Sequence, residues 1–301
     1  MYYLIYGILY TMSLVPMRLL YILSDILAFF LYYFIRYRRG VVMGNLLIAF
    51  PEKSDEERTR IAKKFYRQFV DSFMETIKLL SAGKSFITRR FVIDNPEVLE
   101  SQFRRGRKCQ LHLGHTFNWE IADAAMPLLS SFRFLVVYMP IGNKVFDRLF
   151  MKIRGRTGTV LLPATDMRKK ILPYRNDRYL LTLVADQAPG GPEYAYWLNF
   201  FGKPTPFVKA PERGARIADI PVVFAQLYST RRGHYRARLE TAADHPGELP
   251  EGELTRRYTA FLERCIRQYP ENYLWSHKRW KSQWKPEYRD NWIDQQENIP
   301  A

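Results

Sequence analysis

The string LHLGHTFNWEIADAA carries the residues of this chain best placed by type and spacing to do chemistry. His115 follows a short apolar run, CQLHL, and Gly114; Glu120 comes five positions later. The run reads as a strand, Gly114 as a sharp turn, and Asn118 as the cap of a helix with Glu120 in its first turn. An imidazole at the carboxyl end of a strand stands where α/β sheets usually hold ligands. Glu120 is then expected to hold one ring nitrogen of His115 and leave the other as a base. The helix amino terminus favours an ionised Glu120 and suits a developing negative charge. His112 alternates on the same side of the strand as Gln110 and reads as structural. The five histidines show no paired metal-ligand spacing. No Walker A loop, Gly-x-Gly-x-x-Gly fingerprint or Gly-x-Ser-x-Gly elbow is present. What remains is a base acting on a hydroxyl or water, with no metal or cofactor expected.

A His and a Glu five apart also arise by chance, so the surrounding elements decide the weight of the pair. Ser54 and Glu57 form a capping-box pattern. Behind it Ile61, Phe65, Phe69, Phe73 and Ile77 recur every fourth residue, which predicts a long amphipathic helix with that stripe inward. From residue 90 short strands are expected at FVI, CQLHL, SFRFLVVYMP, TGTVLLPA, YLLTLVAD, DIPVVFAQLY and HYRARLE. Helices are expected between them, notably VFDRLFMKIRGR and DMRKKILPYR. Strands alternating with helices indicate an α/β fold with a mixed, mostly parallel central sheet. Cys109 and Cys265 both sit on apolar faces and read as packed small hydrophobes. The polar tail after Trp284 is expected to be loosely held.

The chain ends of this scheme point to a membrane. Residues 1–35 contain two charges, Arg18 and Asp25, and are followed by Arg36, Arg38 and Arg39. The basic start and small-residue cleavage site of a secretory signal are missing. An ionised Asp25 inside the second apolar run would cost about 2.5–3.5 kcal/mol in a bilayer centre. A tilted span, a hairpin broken near Pro16 and an interfacial helix pair all remain open, but the clustered Tyr and Phe before a basic cluster favour membrane contact. The expected division is a membrane-anchoring segment over 1–35 and a catalytic domain over 36–301. With 46 Lys and Arg against 30 Asp and Glu, the formal charge is +16. That excess suits an anionic membrane, an acidic partner protein or nucleic acid, and the hydrophobic start argues against the last.

Further candidate binding groups are Arg154 and Arg156 before a strand, Asp186 and Gln187 after one, and Lys203 in the turn of NFFGKPTPF. LWSHKRWKSQW near the end interleaves tryptophans with basic residues. Such groups hold phosphates or meet lipid, or else are solvated surface.

In their order along the chain these blocks resemble the late acyltransferases of lipid A biosynthesis, a branch of the glycerol-phosphate acyltransferase superfamily. Asn45, Leu46, Phe50 and Pro51 match the Asn-Leu…Phe-Pro signature, and His115–Glu120 the His-x4-acidic block. Tyr138, Pro140, Asn143 and Asp147, then Arg154 and Arg156, match the next. Asp186, Gln187, Phe200, Phe201 and Gly202 match the Asp-Gln and Phe-Phe-Gly blocks, and Trp275, His277, Lys278 and Arg279 the terminal one. Met139 replaces the arginine common in Tyr-Arg-Pro, and Thr116 a frequent phenylalanine; both departures bear on the acceptor and leave the reaction class intact. The resemblance implies a glycerol-phosphate acyltransferase-like fold on the cytoplasmic side of a bacterial inner membrane. It further implies transfer of an acyl chain from acyl carrier protein to a hydroxyl of a lipid A precursor, with His115 as base and Glu120 as its orienter. Asn118, Arg154, Arg156, Asp186, Gln187, Lys203, His277 and Arg279 are the expected substrate-binding set. Another lipid acceptor, such as a glycerophospholipid or glycolipid, is the nearest alternative, and a non-catalytic membrane scaffold a more distant one.

Overall fold

The computed structural model describes residues 1–295 and 299. The chain runs through α1 (Tyr2–Leu14), α2 (Met17–Phe30), a π-helical turn (Leu31–Ile35), α3 (Arg39–Ala49), α4 (Asp55–Lys78) and α5 (Lys84–Thr88). Next come β1 (Phe91–Ile93), α6 (Glu97–Arg104), β2 (Cys109–Leu113), α7 (Trp119–Leu129), β3 (Arg133–Tyr138), α8 (Lys144–Gly155), β4 (Val160–Pro163) and α9 (Met167–Lys170). The last part comprises β5 (Tyr179–Val184), β6 (Tyr196–Phe200), β7 (Lys203–Phe207), α10 (Ala210–Ile217), β8 (Val222–Arg231), β9 (His234–Ala243) and α11 (Glu253–Gln268).

Seven strands form one sheet in the order β1-β9-β8-β2-β5-β3-β4, parallel throughout except for the antiparallel β8–β9 pair. This is the expected mixed, mostly parallel α/β fold. All five residues of β2 are buried, as a central strand covered on both faces requires. Leu111 and Leu113 pack with Ile121, Ala122 and Met126 of α7, while Phe224 meets Tyr258 and Phe261 of α11 across the sheet. The order turns at β2, which pairs with β8 on one side and β5 on the other. A cleft opens beyond the carboxyl ends of strands at such a turning point.

Two features differ from the sequence reading. The stripe on α4 does not face inward along its length: Ile61 and Phe65 are buried, but Phe73 is 47% exposed. A strict four-residue repeat drifts by about 40° per step around a 3.6-residue helix, so Val70, Asp71, Met74 and Glu75 take over the inner face. The tail is also more firmly packed than expected as far as residue 295. Tyr288 is buried and stacks on Trp197 at 5.1 Å, and the Ile293 amide donates to the Trp197 carbonyl. The rest of that tail, except 299, lies outside the described residues.

The N-terminal helices are docked on α4 by a polar seam. Tyr21 donates to Glu75 at 2.6 Å and Ser24 to Asp71 at 2.6 Å, and Lys78 donates to the carbonyls of Ser13 and Val15. Arg232 bridges Asp25 and Asp71, so the carboxylate in the apolar run has a cationic partner. The opposite side of α2 and the turn after it exposes Leu19, Ile22, Ile26, Phe30 and Phe34. Met17–Ile35, nineteen residues, is long and apolar enough to cross a membrane.

Glu75 is the buried node of the seam, accepting from Tyr21, Tyr235 and Asn118 at 2.6–2.7 Å. Burial pushes its carboxyl above the ordinary range despite those donors. Its stabilising contribution is therefore complete below the unfolded value of about 4.3 and is lost as pH rises through the higher folded value. Wild type is expected to lose stability against Glu75→Gln as pH rises above the unfolded value of about 4.3. Parallel urea-unfolding curves for the two would refute this. Glu75→Ala strands three donors and is expected to cost about 3 kcal/mol.

Candidate active site

His115 leaves the carboxyl end of β2 through a turn at which position 114 is closely approached by Leu262. A Cβ there would stand 2.5 Å from Leu262 Cδ1 and 3.7 Å from Asp186 Oδ2. The Asp186 carboxylate, at the end of β5, accepts from the His115 backbone amide at 3.0 Å and from ring Nδ1 at 2.6 Å. The two residues are neighbours because β2 and β5 are parallel, with Leu113 opposite Val184. Burial alone would lift the Asp186 carboxyl. The charge of His115 and both hydrogen bonds, with Arg279 adding to them, hold it below the usual carboxylate range.

With Nδ1–H given to Asp186, Nε2 becomes the basic nitrogen. It lies 3.2 Å from Gln187 Nε2 and faces a cavity of about 630 Å³. The His115 side chain is 21% exposed and Asp186 1%, so base and orienter differ in their access to a ligand. Trp119 packs edge-on against the imidazole at 5.6 Å. The loop is tied down from below: Leu274 donates to the His115 carbonyl, and Phe117 to that of Asn272.

Glu120 is not the partner of His115, and this corrects the sequence reading. Asn118 caps α7 as expected, accepting from the Glu120 and Ile121 amides. From that first turn the Glu120 carboxylate is taken by Arg154, with Nε–Oε2 at 2.9 Å and Nη2–Oε1 at 2.5 Å, and by Trp119 Nε1 at 3.1 Å. These donors engage both oxygens of Glu120, and the imidazole of His115 is held by Asp186 instead. Arg154 itself lines the cavity beside His115. The site thus has a base oriented by one acid and a cation held by another.

Residues 1–282 match the profile of the bacterial lipid A biosynthesis acyltransferases. The chain belongs to that family. A lipid A biosynthesis myristoyltransferase of Escherichia coli strain K12 is 24% identical over 240 residues, covering 79% of this chain and 73% of the relative. A lipid A biosynthesis palmitoleoyltransferase of the same strain is 21% identical over 254 residues, 83% and 80% of the two chains. Lipid A biosynthesis acyltransferase 2 of Shigella flexneri is 22% identical over 241 residues, 79% and 75% of the two chains. Membership carries acyltransferase activity of the lipid A class in general.

Of the eight expected binding residues, Asp186 is instead the partner of the imidazole, and the other seven separate into three groups. Arg154 and Gln187 line the cavity with His115. His277 and Arg279 lie behind the base: burial and Arg279 push the His277 imidazole down to about 4, and Arg279 is fully buried over the Phe207 ring. The remaining three are committed elsewhere. Asn118 spends its amide on Glu75 and its oxygen on the helix cap. Arg156 donates to the carbonyls of Leu79 and Ala82. Lys203 is exposed at the tip of the β6–β7 hairpin. Asn45 ties the first family block to the last by donating to the carbonyls of Trp275 and His277. The cysteines are buried, and desolvation lifts both thiols to about 12, as packed hydrophobes require. His112 is likewise structural: burial drives it down to about 3 against Gln110.

Asp186 gives the site an acid-side signature. Its depressed folded value means that its contribution is present above the unfolded value of about 3.9 and is lost as pH falls through the folded one. Asp186→Asn is expected to shallow the loss of stability below about pH 4. Circular dichroism along an acid titration of both proteins checks this, and superimposable profiles would exclude an ionised native Asp186.

Proposed function

We propose that this protein transfers a fatty acyl chain from the thioester of acyl carrier protein to a hydroxyl of an anionic lipid A precursor. The observation that carries the reading is the His115–Asp186 pair, with Nε2 turned into an apolar cavity beside a charged arginine. The acceptor hydroxyl would displace Gln187 from Nε2 and give its proton to His115 as its oxygen attacks the thioester carbonyl. Asp186 stabilises the imidazolium so formed. Arg154, fixed by Glu120, offers its positive charge to the carbonyl oxygen as that oxygen becomes negative. Collapse expels the carrier thiolate, which takes the proton from His115 and leaves an ester and a free thiol. In this scheme Glu120 serves catalysis by aiming Arg154.

We read residues 1–35 as the anchoring segment and 36–301 as the catalytic domain, facing the cytoplasm at the bacterial inner membrane. The exposed apolar side of α2 supports membrane contact, and the charge of +16 suits both an acidic carrier protein and a phosphorylated lipid. Nothing in the site favours nucleic acid.

Transfer from acyl carrier protein to a lipid A precursor is expected to fall about 10³-fold or more in His115→Ala and about 10²–10⁴-fold in Asp186→Asn. Glu120→Gln and Arg154→Met are expected to lose about 10²-fold each, with a double variant no worse than the worse single one, because the two act as a unit. Near-normal rates in His115→Ala would remove the mechanism. Lipid A from cells lacking the gene should lack one secondary acyl chain by mass spectrometry, and an unchanged spectrum would move the acceptor to another lipid.

A further inference from the structure

The rim of the cavity is exposed, apolar and basic, and the scheme above does not use it. Met139 and Ile141 line the cavity and are also 70% and 37% exposed, so they mark its mouth. They belong to the loop between β3 and α8, which Asp147 folds back by accepting from the Ile141 amide at 2.9 Å. Asn143 caps α8 by accepting from the Val145 and Phe146 amides. Behind that cap Leu149 and Ile153 turn inward and are buried, while Phe146 on the first turn is 43% exposed. Lys144, Arg148 and Lys152 recur every fourth residue along α8 and are exposed. The end of β4 lies level with that of β3 and leads through Ala164 and Met167, which line the same cavity, into the exposed Arg168, Lys169 and Lys170 of α9. Among the described residues no carboxylate forms an ion pair with any of these cations. Arg148 and Lys152 instead lie over the rings of Tyr2 and Tyr6 in α1, at 4.2 and 4.0 Å from the ring centroids.

We propose that the loop of residues 139–143 and the first turn of α8 dip into an anionic bilayer as a second membrane contact, separate from α2, so that the cavity mouth opens onto the lipid. Exposed apolar side chains gathered at one rim and flanked by free cations are the pattern of an interfacial surface. Acyl chains take Met139, Ile141 and Phe146, and anionic headgroups take the lysines and arginines of α8 and α9. Continuity with the N-terminal helices favours a bilayer over a protein. The side of α1 that carries Tyr2 and Tyr6 grips α8, while its other side exposes Leu4 and Ile8. A bilayer that receives α1 and α2 is therefore already beside the rim. An acidic carrier protein would complement the cations but would have to displace that bilayer and cover the three apolar tips. The contact itself does not depend on the acyltransferase reading. Its consequence, that a lipid acceptor enters the cavity without crossing water, rests on that reading.

The test places the full chain in vesicles of phosphatidylethanolamine and phosphatidylglycerol, some of whose lipids carry a nitroxide near the top of the acyl chain. Cys109 and Cys265 are buried, so a thiol-reactive dye reports an introduced cysteine. One dye sits at Phe146→Cys. The other sits at Arg104→Cys, an exposed position at the end of α6, on the opposite edge of the sheet. Nitroxide lipid is expected to quench the dye at 146 about threefold or more beyond the dye at 104. Adding Met139→Ser and Ile141→Ser to Phe146→Cys should remove about half of that excess or more, because the apolar tips hold the loop in the lipid. Equal quenching at 146 and 104 would overturn the contact, and so would an excess that serine at 139 and 141 leaves unchanged. Protection of the dye at 146 from an aqueous quencher by acyl carrier protein, with no quenching from lipid, would give the rim to a protein and overturn it as well. The measurement reads no turnover. Strong quenching without acyl transfer would therefore refute the proposed function and support the contact, whereas normal transfer with equal quenching would sink the contact alone.

Discussion

The buried carboxylate of Asp186 fixes the geometry on which the rest of the site depends. It takes both the backbone amide and the ring Nδ1 of His115, so it sets where the residue sits and which nitrogen is basic. Such a carboxylate is costly to bury unless its lone pairs are filled. Much of the surrounding structure answers that cost. The parallel β2–β5 pairing brings the two strand ends together, position 114 carries no side chain, and the fully buried Arg279 adds positive charge from beneath. The segment of residues 272–275 closes the underside by bonding to the backbone of His115 and of Phe117.

A second buried acid connects this centre to the outermost part of the molecule. Glu75 takes one hydrogen bond from Tyr21 on the membrane-seeking helix and another from Asn118, whose oxygen caps the helix that carries Glu120. Only three side chains therefore separate the apolar face of α2 from the first turn of α7. The seam also explains how an aspartate is tolerated in an apolar helix, since Asp25 faces Arg232 and Arg67 rather than lipid. The N-terminal helices are thus part of the packed body through one side and available to a bilayer through the other.

The sheet was legible because its strands are short, apolar and separated by amphipathic helices, and every expected strand in it forms. The β6–β7 hairpin was not, because Pro204 and Pro206 argue against a strand and are tolerated only in a two-stranded pair. At the site, local signals carried His115, the sharp turn at Gly114 and the Asn118 cap. The partner of the imidazole was misread because Asp186 is 71 residues away and Arg154 is 34 residues from Glu120. Spacing along the chain reports neighbours within one element, whereas these contacts depend on which strands are paired and in what register. Sequence did contain one usable hint: an acid immediately after a buried parallel strand stands at the same edge as a histidine immediately after its neighbour.

Two acids near one base then have distinct tasks, and burial with partner choice assigns them. Asp186 accepts from the imidazole; Glu120 accepts from a guanidinium and leaves the imidazole alone. If Glu120 instead held His115, Arg154 would lose its forked partner, and in the proposed mechanism the cation offered to the developing oxyanion would be free to turn away from the carbonyl. The acyl transfer we propose, which relies on both proton removal and charge stabilisation, is better served by this division than by a single His–Glu pair. The constraint also accounts for the spacing within the motif. Five positions put the acid not on the histidine but on the first turn of the following helix, where the amino-terminal dipole favours its charge and a long side chain from α8 can reach it.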